Sequence, residues 1–182
     1  MKNSAFTSTS LTTPKIGGHS FVWPNHVGGD ISGTSMFRFS VKGTNDSYIC
    51  FAEEKTDDAK KITYVLGGWG NSTSTVKWMP KGQKGNHGWH GIPSDPYTYK
   101  GQVHKGAGAE AWFEVNWDIL DPVLSNCMTI SKISDRDGNN KEVMSKFPMR
   151  DVNPNWFMVT SGCNTTADWE ILIPSEKTKS IQ

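Results

Sequence analysis

Residues Met36–Val41 read MFRFSV, and this short stretch decides the fold class. Its two phenylalanines and its valine alternate with arginine and serine, so apolar side chains fall on one face and polar side chains on the other. A period of two is typical of a β-strand with one buried face, because successive side chains of a strand point to opposite sides. The stretch therefore predicts a half-buried strand.

Further strand patterns recur along the chain between turn signals, and they indicate the overall architecture. The predicted strands lie at residues 48–52, 62–66, 73–79, 112–117, 128–133, 142–147, 156–160 and 169–173. The segment Asp137–Asn140 reads DGNN between two of them and is a strong hairpin signal. No stretch keeps helical spacing of apolar residues over three turns. The sequence thus predicts an all-β fold, an antiparallel β-sandwich.

The domain organisation follows from length and local composition. A chain of 182 residues can form one domain with a substantial core. We predict a flexible N-terminal arm over residues 1–19, which are rich in serine and threonine, a single sandwich domain over 20–174 and a polar tail over 175–182. Residues 80–109 are rich in glycine, aromatic residues and histidine, and they predict a long functional loop.

Charge and hydropathy exclude several classes of partner. The chain has 19 basic and 18 acidic side chains and a formal net charge of +1, which gives no reason to expect nucleic acid or an anionic membrane as partner. No apolar run reaches the roughly 18 residues of a membrane span. No secretory signal is recognisable at the N-terminus, so we expect a soluble protein, cytoplasmic or secreted after removal of a signal. The compartment and the oligomeric state stay open.

The three cysteines, Cys50, Cys127 and Cys163, are far apart and odd in number. Because no closely spaced pair occurs, a zinc knuckle is not expected. Buried thiols without a disulfide are the default interpretation, and one bridge with one remaining thiol is the alternative.

Residues 64–72 read YVLGGWGNS, and with Ser74 and Val76 they resemble the signature of the farnesoic acid O-methyltransferase-like domain, or FA domain. The segment FRFSVKG at 37–43, followed by Asp46 and Ile49, looks like the opening strand pair of that family. WFEVNW at 112–117 with MTI at 128–130 looks like its next strand pair, and WEI at 169–171 like its closing strand. The resemblance covers roughly residues 36–173 and implies a jelly-roll β-sandwich. The family name implies methyl transfer from S-adenosylmethionine to farnesoic acid.

The glycines of that signature favour a turn over a cofactor site. Methyltransferases of the common type hold their cofactor at a glycine-rich turn between a strand and a helix of a parallel sheet. Here the segment Gly67–Gly70 follows a strand, but residues 71–75 lead directly into another strand. We therefore predict a bulge or a turn with positive φ, with Gly68 in the positive-φ position, and no cofactor.

No motif in the chain predicts catalysis or a metal site. His87 and His90 could offer two imidazoles, but zinc needs more protein ligands than that, so they are interpreted as exposed loop histidines. The segment that begins at Asp135 starts like a calcium loop, but Lys146 stands where the twelfth-position glutamate is required. A nucleophile motif of the G-x-S-x-G type does not occur.

The leading hypothesis is a non-catalytic, lectin-like binding module for carbohydrate or another small polar ligand. Aromatic rings coincide with amide or imidazole groups at three places: Trp69 with Asn71; His87, Trp89 and His90 in the long loop; and Asn155 with Trp156. Loops on a rigid sandwich are common recognition sites, so Trp89 is expected to be partly exposed. The alternative is a protein–protein interaction or adhesion domain whose aromatic residues all lie in the core, and methyl transfer is the least supported hypothesis. The exposure of Trp69, Trp89 and Trp156 discriminates between them.

Overall fold

The computed structural model describes residues 5–13, 27–56, 58–82, 96–106, 108–162 and 165–175. Within these ranges the chain forms twelve β-strands and one single-turn helix. They are β1 (Phe6–Thr13), β2 (Val27–Asp30), β3 (Met36–Lys42), β4 (Ser47–Ala52), β5 (Lys61–Gly67), α1 (Gly68–Asn71), β6 (Thr73–Met79), β7 (Tyr99–Lys100), β8 (Ala111–Asp121), β9 (Ser125–Ile133), β10 (Glu142–Pro148), β11 (Trp156–Ser161) and β12 (Ala167–Pro174).

The strands form two six-stranded antiparallel sheets. Sheet A has the order β1-β12-β3-β8-β9-β10, and sheet B has the order β2-β11-β4-β5-β6-β7. In both sheets a strand from the C-terminal part of the chain lies between two strands from the N-terminal part. This interleaving gives a β-sandwich of jelly-roll type, and the predicted fold class is confirmed.

The alternating pattern of β3 has the predicted consequence. Phe37, Phe39 and Val41 are fully buried between the two sheets. Arg38 lies on the outer face of sheet A, where its Nε donates to Glu114 Oε2 on β8 at 2.9 Å. The apolar face is therefore buried as the period predicts, and on the other face Arg38 is half-buried while Ser40 is also buried, at 2% exposure.

Aromatic rings join the two sheets across the core. The ring of Phe37 in sheet A lies 5.9 Å from that of Phe51 and 5.6 Å from that of Phe157, both in sheet B. At the other side of the core, Tyr64 of sheet B stacks on Phe147 of sheet A at 5.9 Å between centroids. Much of the aromatic content of the sequence therefore serves core packing.

The N-terminal segment departs from the prediction. Residues Phe6–Thr13 are not a flexible arm but strand β1, which pairs with β12 from Phe6↔Pro174 to Thr13↔Ala167. The run of serine and threonine shows no apolar alternation because both of its faces are largely exposed at the edge of sheet A. Its order comes from backbone hydrogen bonds to β12, which no local pattern reveals.

Two further expectations are settled in part. Cys50 and Cys127 are buried and form no disulfide, as predicted, whereas Cys163 lies outside the described residues. The predicted loop at 80–109 includes the short strand β7, and its residues 83–95 lie outside the described part of the chain, as do tail residues 176–182. In the described ranges, no helix has the length and apolar character needed to cross a bilayer.

Candidate functional site

The glycine-rich signature forms a left-handed turn at the end of β5. Gly67 has φ 64°, and Trp69, Gly70 and Asn71 follow with φ of 51°, 71° and 63°. A turn is thus present, but its predicted position is wrong, because Gly68 does not have a positive φ. The reversal begins at Gly67, since this residue ends the strand.

Asn71 holds a neighbouring loop. Its Oδ1 accepts hydrogen bonds from the backbone N–H groups of Val103 and His104, both at 3.0 Å, and its Nδ2 donates to the carbonyl of His104 at 2.9 Å. The carbonyl oxygen of the amide is fully occupied, and one amide hydrogen is left. Trp69 beside it is half-buried. This predicted pair therefore has little polar capacity left for a ligand.

His104 was not singled out from the sequence, and it is the buried imidazole of this region. It is 4% exposed, its Nε2 lies 3.1 Å from the carbonyl oxygen of Leu66, and its Nδ1 has no hydrogen-bond partner. Burial lowers the pKa of His104, while the Leu66 carbonyl and the Asp46 carboxylate act in the opposite direction. A histidine in a loop without alternation gives no sequence signal of burial.

A cleft at one end of the sandwich contains Asn155. We call it the end cleft; its volume is about 440 Å³, and it is lined by Gly33, Thr34, Ser35, Trp117, Asp118, Asn153, Pro154 and Asn155. Three segments meet there: the turn between β2 and β3, the distal part of β8, and the segment that leads into β11. The end cleft combines an indole, a carboxylate, two amides and two hydroxyls.

A bulge in β8 shapes the end cleft. Register shifts between Asn116 and Ile119, so that β8 has one more residue than β9 over this interval. Within this interval, Trp117 points inwards, is 3% exposed, and meets the ring of Phe37 edge-on at 6.0 Å. Within the bulge, Asp118 has φ 59° and is exposed, and its Oδ1 accepts from Asn126 Nδ2 at 3.2 Å.

The amide side of the end cleft is anchored through the backbone. The N–H of Asn155 donates to the carbonyl of Ala52 at 2.9 Å, and its carbonyl accepts from Ile31 at 2.8 Å. Its Nδ2 donates to the carbonyl of Glu53 at 3.2 Å, which leaves Oδ1 without a partner in the described part of the chain. The side-chain amide of Asn153 is exposed, and the backbone N–H of Asn153 donates to Glu53 Oε1 at 3.2 Å.

Residues 19–94 match the model of the farnesoic acid O-methyl transferase family. This confirms, for that range, the resemblance drawn from the sequence. No protein of curated function matches the chain. Among solved structures, one match is a prokaryotic beta-1,3-1,4-glucanase (lichenase) derived from a mouse hindgut metagenome, at 11% identity and a TM-score of 0.47, over 93% of this chain and 99% of that one.

The range that matches the farnesoic acid O-methyl transferase family contains only some of the residues that line the end cleft. It includes the turn residues Gly33, Thr34 and Ser35, while Trp117 and Asn155 lie beyond it. Most polar groups of the end cleft therefore belong to the part of the chain that the family model does not match.

The glycine turn of the matched range does not fit a nucleotide-type cofactor. A Cβ placed on Gly67 would lie 2.4 Å from Cδ2 of His104 and 2.7 Å from Oδ1 of Asn71. The space beside the glycine is filled by the protein's own side chains, and β6 follows as an antiparallel partner of β5. The turn therefore leaves no space beside Gly67 for such a cofactor.

The structure separates some predicted site residues and brings others together. Trp156 is half-buried on the outer face of sheet B, with Lys55 Nζ 5.7 Å from its ring centroid, and it does not line the end cleft with Asn155. Trp117 and Asp118 were missed, because Trp117 reads as one more residue of an alternating strand. His87, Trp89 and His90 lie outside the described residues. Neither Trp69 nor Trp156 is fully buried, so the expectation of aromatic platforms stays open.

Proposed function

We propose that this protein is a non-catalytic binding module for carbohydrate or a similar small polar ligand, and that the ligand binds in the end cleft. The observation that supports this most directly is the position of Trp117 beside polar groups that the protein itself leaves unused. The side chain of Trp117 is 3% exposed and lines the end cleft. An indole N–H only donates, so a ligand hydroxyl in the end cleft would serve as its acceptor.

The remaining groups of the end cleft suit a sugar. Hydroxyl groups both donate and accept, and Asp118 and Asn155 Oδ1 offer acceptors while the Asn153 amide offers donors as well. The edge of Trp117 and the ring of Pro154 provide apolar contact for the C–H groups of a pyranose. The volume of about 440 Å³ lies within the range of about 300–1,000 Å³ that is usual for small-molecule sites.

The number of carboxylates that line the end cleft favours ligand binding over hydrolysis. Glycoside hydrolysis ordinarily uses a pair of carboxyl groups on either side of the scissile bond. Among the described residues that line the end cleft, Asp118 is the only carboxylate. A single carboxylate can accept hydrogen bonds from a sugar, but it cannot supply both the acid and the base.

A glycan array, followed by calorimetry on the best hit, tests this proposal. Asn153→Ala is the informative variant, because its exposed side chain has no partner among the described residues. The matched control is Gln102→Ala, an exposed amide outside the end cleft. We expect Asn153→Ala to weaken binding several-fold with stability within about 0.5 kcal/mol of the parent, as is usual for surface sites. Equal affinity in all three proteins would reject the end cleft as the site.

A second candidate, protein–protein interaction, has one observation in its favour. Leu120 and Val123 are 88% and 85% exposed at the turn between β8 and β9. Asp121 fixes that turn by accepting the N–H groups of Val123 and Leu124, both at 2.8 Å. Light scattering across a concentration series tests it: association that Leu120→Ser abolishes would favour this function, and a monomer throughout would count against self-association.

A further inference from the structure

The charge on the described lining of the end cleft is negative. Asp118 is its only ionisable lining residue in the described part of the chain, and no lysine, arginine or histidine lines it there. The side chain is exposed on the β8 bulge, at the mouth of the site. A ligand in the end cleft therefore meets one negative charge and no cation on the wall.

Asp118 differs from the other two carboxylates of β8 in how its charge is balanced. Glu114 is paired with Arg38 at 2.9 Å and with Lys141 at 2.7 Å. Asp121 is paired with Lys146. Asp118 has no ion pair in the described ranges and accepts only from the neutral amide of Asn126, through Oδ1. Its charge is not compensated, and its Oδ2 is available.

A second negative charge, that of Glu53, lies next to the segment that carries the two amides. Glu53 supports both amides of the end cleft, since its Oε1 accepts from the N–H of Asn153 and its carbonyl accepts from Asn155 Nδ2. Glu53 takes part in no ion pair among the described residues. Glu53 does not line the end cleft, but its negative charge adds to that of Asp118, and negative charge raises the local concentration of cations and lowers that of anions.

We propose that Asp118 makes the end cleft selective for saccharides that carry a protonated primary amine, such as a 2-amino-2-deoxyhexose, over uronic acids of the same ring. This rests on the proposed function of the end cleft. An ammonium group supplies donors to Asp118 Oδ2, and a uronate places a like charge in the same site. Exposed ion pairs are weak, so the expected preference over the neutral sugar is modest, about two- to fivefold, and it decreases with salt.

The experiment compares glucosamine, glucose and glucuronate by calorimetry at slightly acidic pH, in low and in high salt. The proteins are the parent, Asp118→Asn and, as control, Glu54→Gln, whose carboxylate contacts Lys81 away from the end cleft. Asparagine tolerates the left-handed φ of position 118, so the variant is expected to fold, and its melting temperature confirms that.

We expect affinity to fall from glucosamine to glucose to glucuronate, and Asp118→Asn to bring the glucosamine-to-glucose ratio towards one. Glu54→Gln is expected to keep the ratio of the parent. The proposal is overturned if glucosamine and glucose bind equally to the parent, or if the preference persists in Asp118→Asn or in high salt; glucose binding then still supports the proposed function. If none of the three sugars binds, the proposed function itself fails.

Discussion

Replacing Gly67 with alanine is the most severe test of how the turn after β5 is packed. A Cβ at this position would lie 2.4 Å from His104 Cδ2 and 2.7 Å from Asn71 Oδ1. The residue also has φ 64°, a conformation that side chains disfavour. Backbone strain and steric overlap therefore act together.

The two effects can be sized separately. Holding an L-residue in the left-handed region costs about 1–2 kcal/mol. Displacing Asn71 Oδ1 weakens two hydrogen bonds, from the N–H groups of Val103 and His104, at about 1 kcal/mol each. The expected loss is therefore about 3–4 kcal/mol. Gly70→Ala is the matched control, because its φ of 71° is similar and a Cβ there would meet nothing within 4 Å.

Equilibrium urea unfolding of the parent and both variants measures the difference. We expect Gly67→Ala to lose about 2 kcal/mol more than Gly70→Ala, because only the former displaces neighbours. Equal losses in the two variants would show that Asn71 and His104 do not pack against Gly67 as described.

Three further outcomes are expected. Burial lowers the pKa of His104, so the unfolded state binds more protons than the folded state at mildly acidic pH. The stability of the fold is therefore fully present above the unfolded pKa of about 6.5, and it decreases as the pH falls towards the pKa of the folded state. His104→Gln should flatten this dependence in urea unfolding between pH 5 and 7, and an unchanged slope would assign it to another group. Glu114→Gln should cost about 1–3 kcal/mol in thermal unfolding, since it weakens contacts to Arg38 and Lys141 around a side chain only 8% exposed; no loss would mean that these pairs contribute nothing. S-adenosylmethionine should not raise the melting temperature, and a saturable rise would contradict the non-catalytic function.

The fold class was predictable because apolar and polar residues alternate along the strands, and this alternation indicates which face of a strand is buried. In β3, apolar and polar residues alternate from Phe37 to Val41, and Phe37 and Phe39 lie in the core where the pattern places them. Strand β1 was not predictable, because its residues are mostly exposed on both faces and its order depends on β12, more than 150 residues away in the chain. Local sequence patterns indicate which residues are buried, but they do not indicate which strands pair with each other.

The site was predictable only in part, for a similar reason. Asn155 was identified because an amide stands beside an aromatic residue, but its partners in space are Trp117 and Asp118 rather than Trp156. Those partners depend on the β8 bulge, which is a property of the register with β9. The position of positive φ was likewise misjudged at Gly68, because adjacent glycines look alike until the end of β5 is known.

The central claim is that a sugar binds in the end cleft beside Trp117. The indole N–H signals of the eight tryptophans can be followed by proton–nitrogen correlation NMR during titration with the best saccharide from the array, with the Trp117 signal assigned by its loss in Trp117→Phe. We expect a saturable shift of the Trp117 signal that is larger than that of Trp156. A saturable shift confined to other tryptophans, or no shift with a saccharide that binds by calorimetry, would contradict it.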